Sequence, residues 1–239
     1  MRLIMVALIG TILVLSLASF PVYAHEAPDG NPRVELVERR VNEIMGVEGI
    51  IERADPQLRS GPEPPWSWMA VSAYDSEDLQ CHGTETRIVR AGWMKYAFWG
   101  LGVYLMAAWV GDDGRMGLKQ ADEIFTHRRY RVEKTGLTGN PQYWIMQSAD
   151  LNGFFATYAA TADPPGPTAP LDCASIGGWA RKFDDAIGVS AVREAVIIRK
   201  TGANEFWPRN PEHAVRNDPY QYVDLHPFGI DGWQFYGNN

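Results

Sequence analysis

Residues 66–74 read WSWMAVSAY and residues 86–99 read TRIVRAGWMKYAFW, and these two stretches decide the fold class. Both are built largely from aromatic and aliphatic residues, of the kinds that favour β-strands. Asp, Ser and Gly residues, which favour turns, lie between them. We therefore predict strands over residues 66–74, 86–91 and 93–99.

The same pattern continues through the middle of the chain. Further candidate strands cover residues 103–110, 125–133, 143–148 and 154–161. The last two flank the segment Asp150–Gly153, whose Asn-Gly pair is a strong signal for a hairpin turn. Because short strands in series pair most simply with their neighbours, we expect an antiparallel β-meander or a partly closed barrel here.

The segments on either side of this region have a different pattern. Before it, apolar residues recur with a helical period, at Val34, Val37, Val41, Ile44 and Ile51. After Cys173, residues 176–199 are predicted to be helical in two pieces, although residues 195–198 fit a buried strand equally well. The predicted fold class is α+β, with an N-terminal amphipathic helix, the central strands, a helix after Cys173 and an aromatic-rich C-terminal tail packed on the body.

The N-terminus has the pattern of a secretory signal. Arg2 precedes an apolar run from Leu3 to about Leu17, and a short segment ending in the small residue Ala24 follows it, which is the order of a cleaved signal peptide. The predicted organisation is a signal peptide at 1–24, a flexible leader at 25–33, an N-terminal helical segment at 34–60 and a single α+β domain at 66–239. We expect an exported protein, in the periplasm or outside the cell.

Two segments leave a membrane contact open. A signal that is not cleaved would anchor the chain, and residues 96–110 are uncharged and mostly apolar. Both apolar runs are shorter than the ~20 residues that span a bilayer. A buried hairpin is therefore the main prediction for residues 96–110, and a membrane segment is the alternative.

The two cysteines, Cys81 and Cys173, support two interpretations. In an oxidising compartment an even pair is most simply one disulfide, which requires Cα atoms within ~7 Å of each other. The alternative is a free Cys173 nucleophile with His213 or His226 as its base, as in a peptidase or amidase. The disulfide is the main prediction.

Charge and motifs exclude several functions. The formal net charge of −7 disfavours nucleic acid as a partner, because phosphate contacts need a basic surface. The chain has no phosphate-binding loop, dinucleotide fingerprint or His-Glu-x-x-His zinc motif. Asp112-Asp113-Gly114 is interpreted as a turn, because the flanking residues lack the other carboxylates of a calcium loop. We expect no cofactor and no metal.

The C-terminal tail carries the remaining candidate site. Asp224 and His226 are two residues apart, so a strand would place both on one face, and Asp231 follows the bend at Gly229. The chain also has 9 Trp, 10 Tyr and 9 Phe, residues that line pockets and anchor protein contacts. We expect an exported, non-catalytic protein that binds a small ligand or a protein partner, with the Cys173 hydrolase as the alternative.

Overall fold

The structure, a computed structural model, describes most of the chain after the leader. The described residues are 33–58, 64–81, 83–100, 102–124, 128–135, 144–149, 155–159, 164–180, 188–208, 213–216, 221–224 and 232–237. The predicted signal peptide at 1–24 and the leader lie outside them, except for Arg33.

The described residues form 14 strands, all paired in antiparallel fashion. In chain order these are β1 Arg33–Ile51, β2 Trp66–Ser76, β3 Glu85–Tyr96, β4 Tyr104–Val110, β5 Met116–Glu123, β6 Arg128–Lys134, β7 Trp144–Ala149, β8 Phe155–Ala159, β9 Leu171–Ala180, β10 Gly188–Arg199, β11 Asn204–Phe206, β12 His213–Arg216, β13 Gln221–Asp224 and β14 Gly232–Gly237.

The predicted α+β fold class is wrong, because the described chain is almost entirely antiparallel β-structure. Its one helical element is a single 3-10 turn at Ala97–Trp99. The predicted N-terminal amphipathic helix is the long strand β1, and the segment predicted to be helical after Cys173 forms the end of β9 and all of β10. The central strands are confirmed, although the two strands predicted over residues 86–99 form one strand, β3, followed by the 3-10 turn.

The strands form two layers that share β1. In the front sheet the order is β5-β4-β3-β2-β9, followed by the first half of β1 and then β12. In the back sheet the order is β8-β7-β6, then the second half of β1, then β10, β14 and β13. Because β6 and β7 lie against β2 and β3, the arrangement is a β-sandwich.

β1 passes from one layer to the other at an irregular point in its middle. Its pairing with β9 shifts register between Arg39 and Ile44. Asn42 in this interval has a φ of 53°, a left-handed conformation that Asn tolerates better than most residues. A bulge of this kind bends a strand, so one continuous segment contributes to both sheets.

The main hydrophobic core fills the space between the sheets. It takes residues from β1, β2, β3, β4 and β9 of the front sheet, including Leu36, Val71 and Trp93, together with Val132 and Ile197 from the back sheet. From the C-terminal tail, Trp207, Trp233 and Phe235 are buried in the same core. The described part of the tail is therefore packed on the body, as its aromatic composition indicated.

Residues 96–110 form the end of β3, the 3-10 turn and strand β4, which pairs with β3 along its length. This is the predicted hairpin, and it lies within the front sheet. In the part of the chain that the structure describes, no helix has the length and apolar character needed to cross a membrane.

Candidate active site

The face of the front sheet that points away from the core carries buried charges. Side chains alternate across a strand, so on β1 Leu36 faces the core while Glu35 and Val37 face the other way. Registered pairs place Ser175 of β9 opposite both Val37 and Ser72 of β2. We call this outer surface the site face.

Two glutamates and one arginine form the centre of the site face. Glu35 is 1% exposed, and its Oε1 accepts a hydrogen bond from the Ser175 hydroxyl at 3.1 Å. Glu85, the first residue of β3, accepts a hydrogen bond from Arg90 at 2.5 Å between Oε2 and Nη2. Both partners of this ion pair are buried, which concentrates three charged side chains in a region of low dielectric.

Two tryptophans and two arginines stack beside these carboxyl groups. The rings of Trp68 and Trp179 lie 5.6 Å apart at an interplanar angle of 18°. The guanidinium of Arg90 lies 4.5 Å from the Trp68 ring centroid, and that of Arg33 lies 5.1 Å from the Trp179 centroid. Cation–π attraction of this kind holds both guanidinium groups close to the glutamates.

A glycine makes room for the Glu35 side chain. Gly177 of β9 is registered opposite Glu35. A Cβ atom on Gly177 would lie 2.1 Å from the Val34 carbonyl oxygen and 2.8 Å from Cγ of Glu35. Any larger residue at this position would displace the Glu35 carboxyl from the cluster.

The surroundings of Glu35 raise its pKa above the ordinary value. Burial is the largest cause, because a low dielectric disfavours the ionised form, and the neighbouring Glu85 carboxylate adds to it. Arg33, Arg90 and the Trp179 indole act in the opposite direction without cancelling the rise. Glu35 therefore holds its proton at a pH at which an exposed glutamate has lost it.

Several polar atoms of the site face have unused hydrogen-bonding capacity. Among the described residues, Ser72 Oγ, Glu85 Oε1 and Arg90 Nε are buried and have no partner. Buried polar groups in folded proteins are nearly always hydrogen-bonded. Their concentration in one place marks the cluster as a site that could bind a polar group or water.

A disulfide closes one end of the site face. Cys81 and Cys173 are bonded, with Cα atoms 6.0 Å apart, as predicted. Cys81 belongs to the loop between β2 and β3, and its carbonyl oxygen accepts a hydrogen bond from the buried Tyr74 hydroxyl at 2.8 Å. The loop leads directly into Glu85, so the disulfide and Tyr74 fix the start of β3.

The disulfide also excludes the predicted nucleophile. A bonded sulfur has no thiolate form, and only the thiolate attacks. His213 lies on β12, whose backbone pairs with β1, while the other proposed base, His226, is outside the described residues.

The candidate tail site falls largely outside the described chain. Asp224 ends β13, which pairs with β14, whereas His226 and Asp231 are not among the described residues. The proposed grouping of these three side chains stays a prediction. Among the described residues, no group of three or more His, Cys, Asp or Glu side chains is placed to hold a metal ion.

Sequence reasoning did not single out Glu35, Glu85 or Arg90. β1 was predicted to be a helix, and a helical interpretation does not place Glu35 on a buried strand face. The available signal was a charge inside an apolar strand pattern, as at Arg90 in IVRAGWM (residues 88–94). A charge on a strand that is buried on both faces requires a partner.

Solved structures share this fold over most of the chain. A crystal structure of scytalido-glutamic peptidase with a peptide-based transition-state analogue aligns with a TM-score of 0.55 and 10% identity, covering 88% of this chain and 98% of the peptidase. A second crystal structure of that peptidase, with a transition-state analogue inhibitor, aligns at 0.53 and 9% identity over the same shares.

A third structure belongs to SCP-B, a member of the eqolisin family of peptidases, in complex with the tripeptide Ala-Ile-His. It aligns with a TM-score of 0.50 and 8% identity, over 88% of this chain and 98% of that one. Identities this low show the fold alone. No protein-family model and no curated protein matches the chain.

The expectation of a non-catalytic binding protein is overturned at the level of the fold, because the comparisons show a fold found in peptidases; at these identities they do not show the activity of this chain. That expectation rested on aromatic content, which is equally typical of a packed core, and Trp93, Trp144 and Trp233 are indeed fully buried. The solved proteins that share the fold are peptidases, which are catalytic hydrolases.

Proposed function

We propose that this chain is an exported hydrolase of peptide bonds that uses the carboxyl groups of Glu35 and Glu85 as an acid–base pair. The observation that carries the proposal is the raised pKa of Glu35 beside a second glutamate that is ion-paired with Arg90. Two carboxyl groups in different environments provide one proton donor and one proton acceptor at the same pH.

Arg90 distinguishes the roles of the two glutamates. Its guanidinium donates to Glu85 Oε2, which leaves Oε1 with an unused acceptor position. Glu35 accepts from the neutral Ser175 hydroxyl and lies 4.0 Å from Arg33. Glu85 is therefore assigned as general base and Glu35 as general acid.

The reaction follows from these assignments. Glu85 accepts a proton from a water molecule, and the oxygen of that water attacks the carbonyl carbon of the substrate amide. A tetrahedral intermediate forms. The C–N bond then breaks, and Glu35 donates its proton to the departing nitrogen. Transfer of the proton from Glu85 back to Glu35 restores the starting state, with one carboxylic acid and one amine released.

Access to the glutamates is part of the proposal. Because Glu35 is 1% exposed, a substrate reaches it only when a covering side chain moves. Arg90 lies over both tryptophan rings, 4.5 Å from Trp68 and 5.9 Å from Trp179. We assign the movement to the side chain of Arg90, which turns about its ion pair with Glu85 and so keeps the roles assigned above.

The comparisons support the substrate class. The similar peptidases are in complex with a peptide-based transition-state analogue and with a tripeptide. Export is supported by the disulfide, since such bonds persist in oxidising compartments. A carboxyl-based hydrolase needs no metal or organic cofactor for the steps described above.

Peptide hydrolysis by the purified chain tests the proposal. A mixture of unmodified peptides is incubated with the wild type and with Glu35→Gln between pH 3 and pH 8, and products are identified by mass spectrometry. Glu35→Gln keeps the shape of the protonated acid but has no proton of suitable pKa to donate. We expect it to reduce the rate by about 10²–10⁴-fold at the optimum.

Glu133→Gln provides the matched control. Glu133 is a strand glutamate that is ion-paired with an arginine, Arg131, at 2.6 Å, but it lies on β6 of the back sheet. Its variant should hydrolyse peptides at the wild-type rate. Hydrolysis by Glu35→Gln at the wild-type rate, or no hydrolysis by the wild type at any pH tested, would overturn the proposal.

A further inference from the structure

A group of aromatic side chains lies at the end of the site face opposite the disulfide. We call it the aromatic patch. Its members belong to the ends of β2, β3 and β4 and to the 3-10 turn: Trp66, Tyr96, Phe98, Trp99 and Tyr104.

The rings of the patch contact one another edge to face. The Tyr96 centroid lies 5.4 Å from that of Phe98 and 5.5 Å from that of Trp99, at interplanar angles of 86° and 81°. Trp99 also contacts Tyr104 at 6.2 Å and 88°. Rings arranged in this way fix each other's orientation and present both edges and faces to a bound group.

The patch is partly open to solvent. Phe98 is 63% exposed, and the four other rings are only partly buried. Phe206 on β11 is exposed to a similar degree, at 74%, but it belongs to the back sheet. An exposed set of contacting rings is a feature of binding surfaces rather than of an ordinary protein surface.

The patch is continuous with the candidate active site. Trp66, Tyr96 and Trp99 pack against an apolar cluster on the site face that includes Trp68 and Trp179. Those two tryptophans stack beside Glu35 and under Arg90. A substrate held at the two glutamates would therefore extend over the patch along the same face of the front sheet.

We propose that the aromatic patch is a specificity subsite that binds an apolar side chain of the peptide substrate, with a preference for aromatic side chains. This inference rests on the proposed peptide hydrolase. The rings offer apolar area and edge-to-face contacts, and none of the five side chains that define the patch is charged. An aromatic side chain gains from both the area and the ring geometry, whereas an aliphatic one gains only from the area.

Paired peptides with one variable residue test the inference. Each pair differs only in having Phe or Leu at one position, and the position is moved along the peptide. We expect Phe at one position to lower KM relative to Leu for the wild type. Phe98→Ala should raise KM for the Phe peptide about 3- to 10-fold, with a smaller effect on the Leu peptide and with kcat preserved.

Phe206→Ala is the matched control, because it removes a ring that is equally exposed but lies on the other sheet. It should leave both KM values unchanged. Equal KM values for Phe and Leu at every position would overturn the inference. So would a Phe98→Ala variant that affects both peptides equally, or one that behaves as Phe206→Ala does.

Binding without turnover separates this inference from the proposed function. The same peptide pairs are titrated into Glu35→Gln protein, and binding is followed by tryptophan fluorescence. Preferential binding of the Phe peptide, weakened by Phe98→Ala, supports the subsite even if no peptide is hydrolysed. Hydrolysis without any preference for Phe would overturn the subsite and leave the proposed function standing.

Discussion

Glu35 and Leu36 are neighbours on β1, yet they lie in opposite environments. Leu36 is buried in the apolar core between the two sheets, together with Val71 and Trp93. Glu35 is as deeply buried, but among Ser175, Glu85 and two arginines on the site face. The two residues are thus equally shielded from water, but their surroundings differ in chemistry.

This difference separates stability from function. Burial of an apolar side chain stabilises the fold at about 25 cal/mol per Å² of surface removed from water. Burial of a carboxyl group is unfavourable unless the group is neutral or fully paired. A protein retains such a group where its perturbed pKa has a use. The face of the front sheet that points into the core, which we call the core face, therefore stabilises the fold, and the site face carries the chemistry.

We expect the largest loss of stability from a substitution on the core face. Leu36→Ala removes a fully buried side chain and should lower the free energy of unfolding by about 3–5 kcal/mol. Urea denaturation followed by tryptophan fluorescence measures it. A loss below about 1 kcal/mol would show that the core face is not the main source of stability.

The disulfide is expected to have the next largest effect, and it belongs to the site face. Replacing both Cys81 and Cys173 by Ser opens a loop with a sequence separation of 92 residues and should cost about 2–4 kcal/mol. Hydrolysis should also fall where the variant is still folded, because the loop leads into Glu85. A variant with wild-type stability would contradict the constraint assigned to this bond.

The smallest of these effects is a pH-dependent change in the free energy of unfolding that arises from Glu35. Its folded-state pKa is raised, so its stabilising contribution is complete below the unfolded-state pKa and is lost as pH rises through the folded-state value. Glu35→Gln cannot ionise, so it should gain stability relative to the wild type as pH rises from 4 to 8. Denaturation of both proteins across this range measures the gain, and a constant difference would contradict it.

The central strands could be predicted from the sequence because their signals are local. β2, β3 and β4 each combine aromatic or aliphatic runs with turn residues at their ends, and each lies close to its predicted bounds. The disulfide was also predictable, since an exported chain with two cysteines has one simple pairing.

β1 was mispredicted for a physical reason. Val34 and Val37 lie on opposite faces of the strand, and both are buried, Val34 in the main core and Val37 in a second apolar cluster that includes the disulfide. The irregular pairing between Arg39 and Ile44 then changes which residues of the strand face the core. Apolar residues on two faces of a bulged strand reproduce the spacing of a helical stripe, so periodicity favoured the wrong element.

The candidate site was not predictable from the sequence because the contact that brings Glu35 into it is non-local. Glu35 contacts Ser175 across a sequence separation of 140 residues, and this contact exists only once β1 pairs with β9. The predicted site at Asp224, His226 and Asp231 came instead from residues close in sequence, which is the only proximity that a single sequence displays.

A pH titration of the Glu35 carboxyl group, followed by carbon NMR in the intact protein, tests the central claim most directly. We assign its resonance by comparison with Glu35→Gln. The account predicts that Glu35 titrates above the ordinary range for glutamate, because burial and the Glu85 carboxylate disfavour its ionised form. A midpoint at or below the ordinary value would show that the cluster stabilises a carboxylate, and Glu35 would then have no proton to donate.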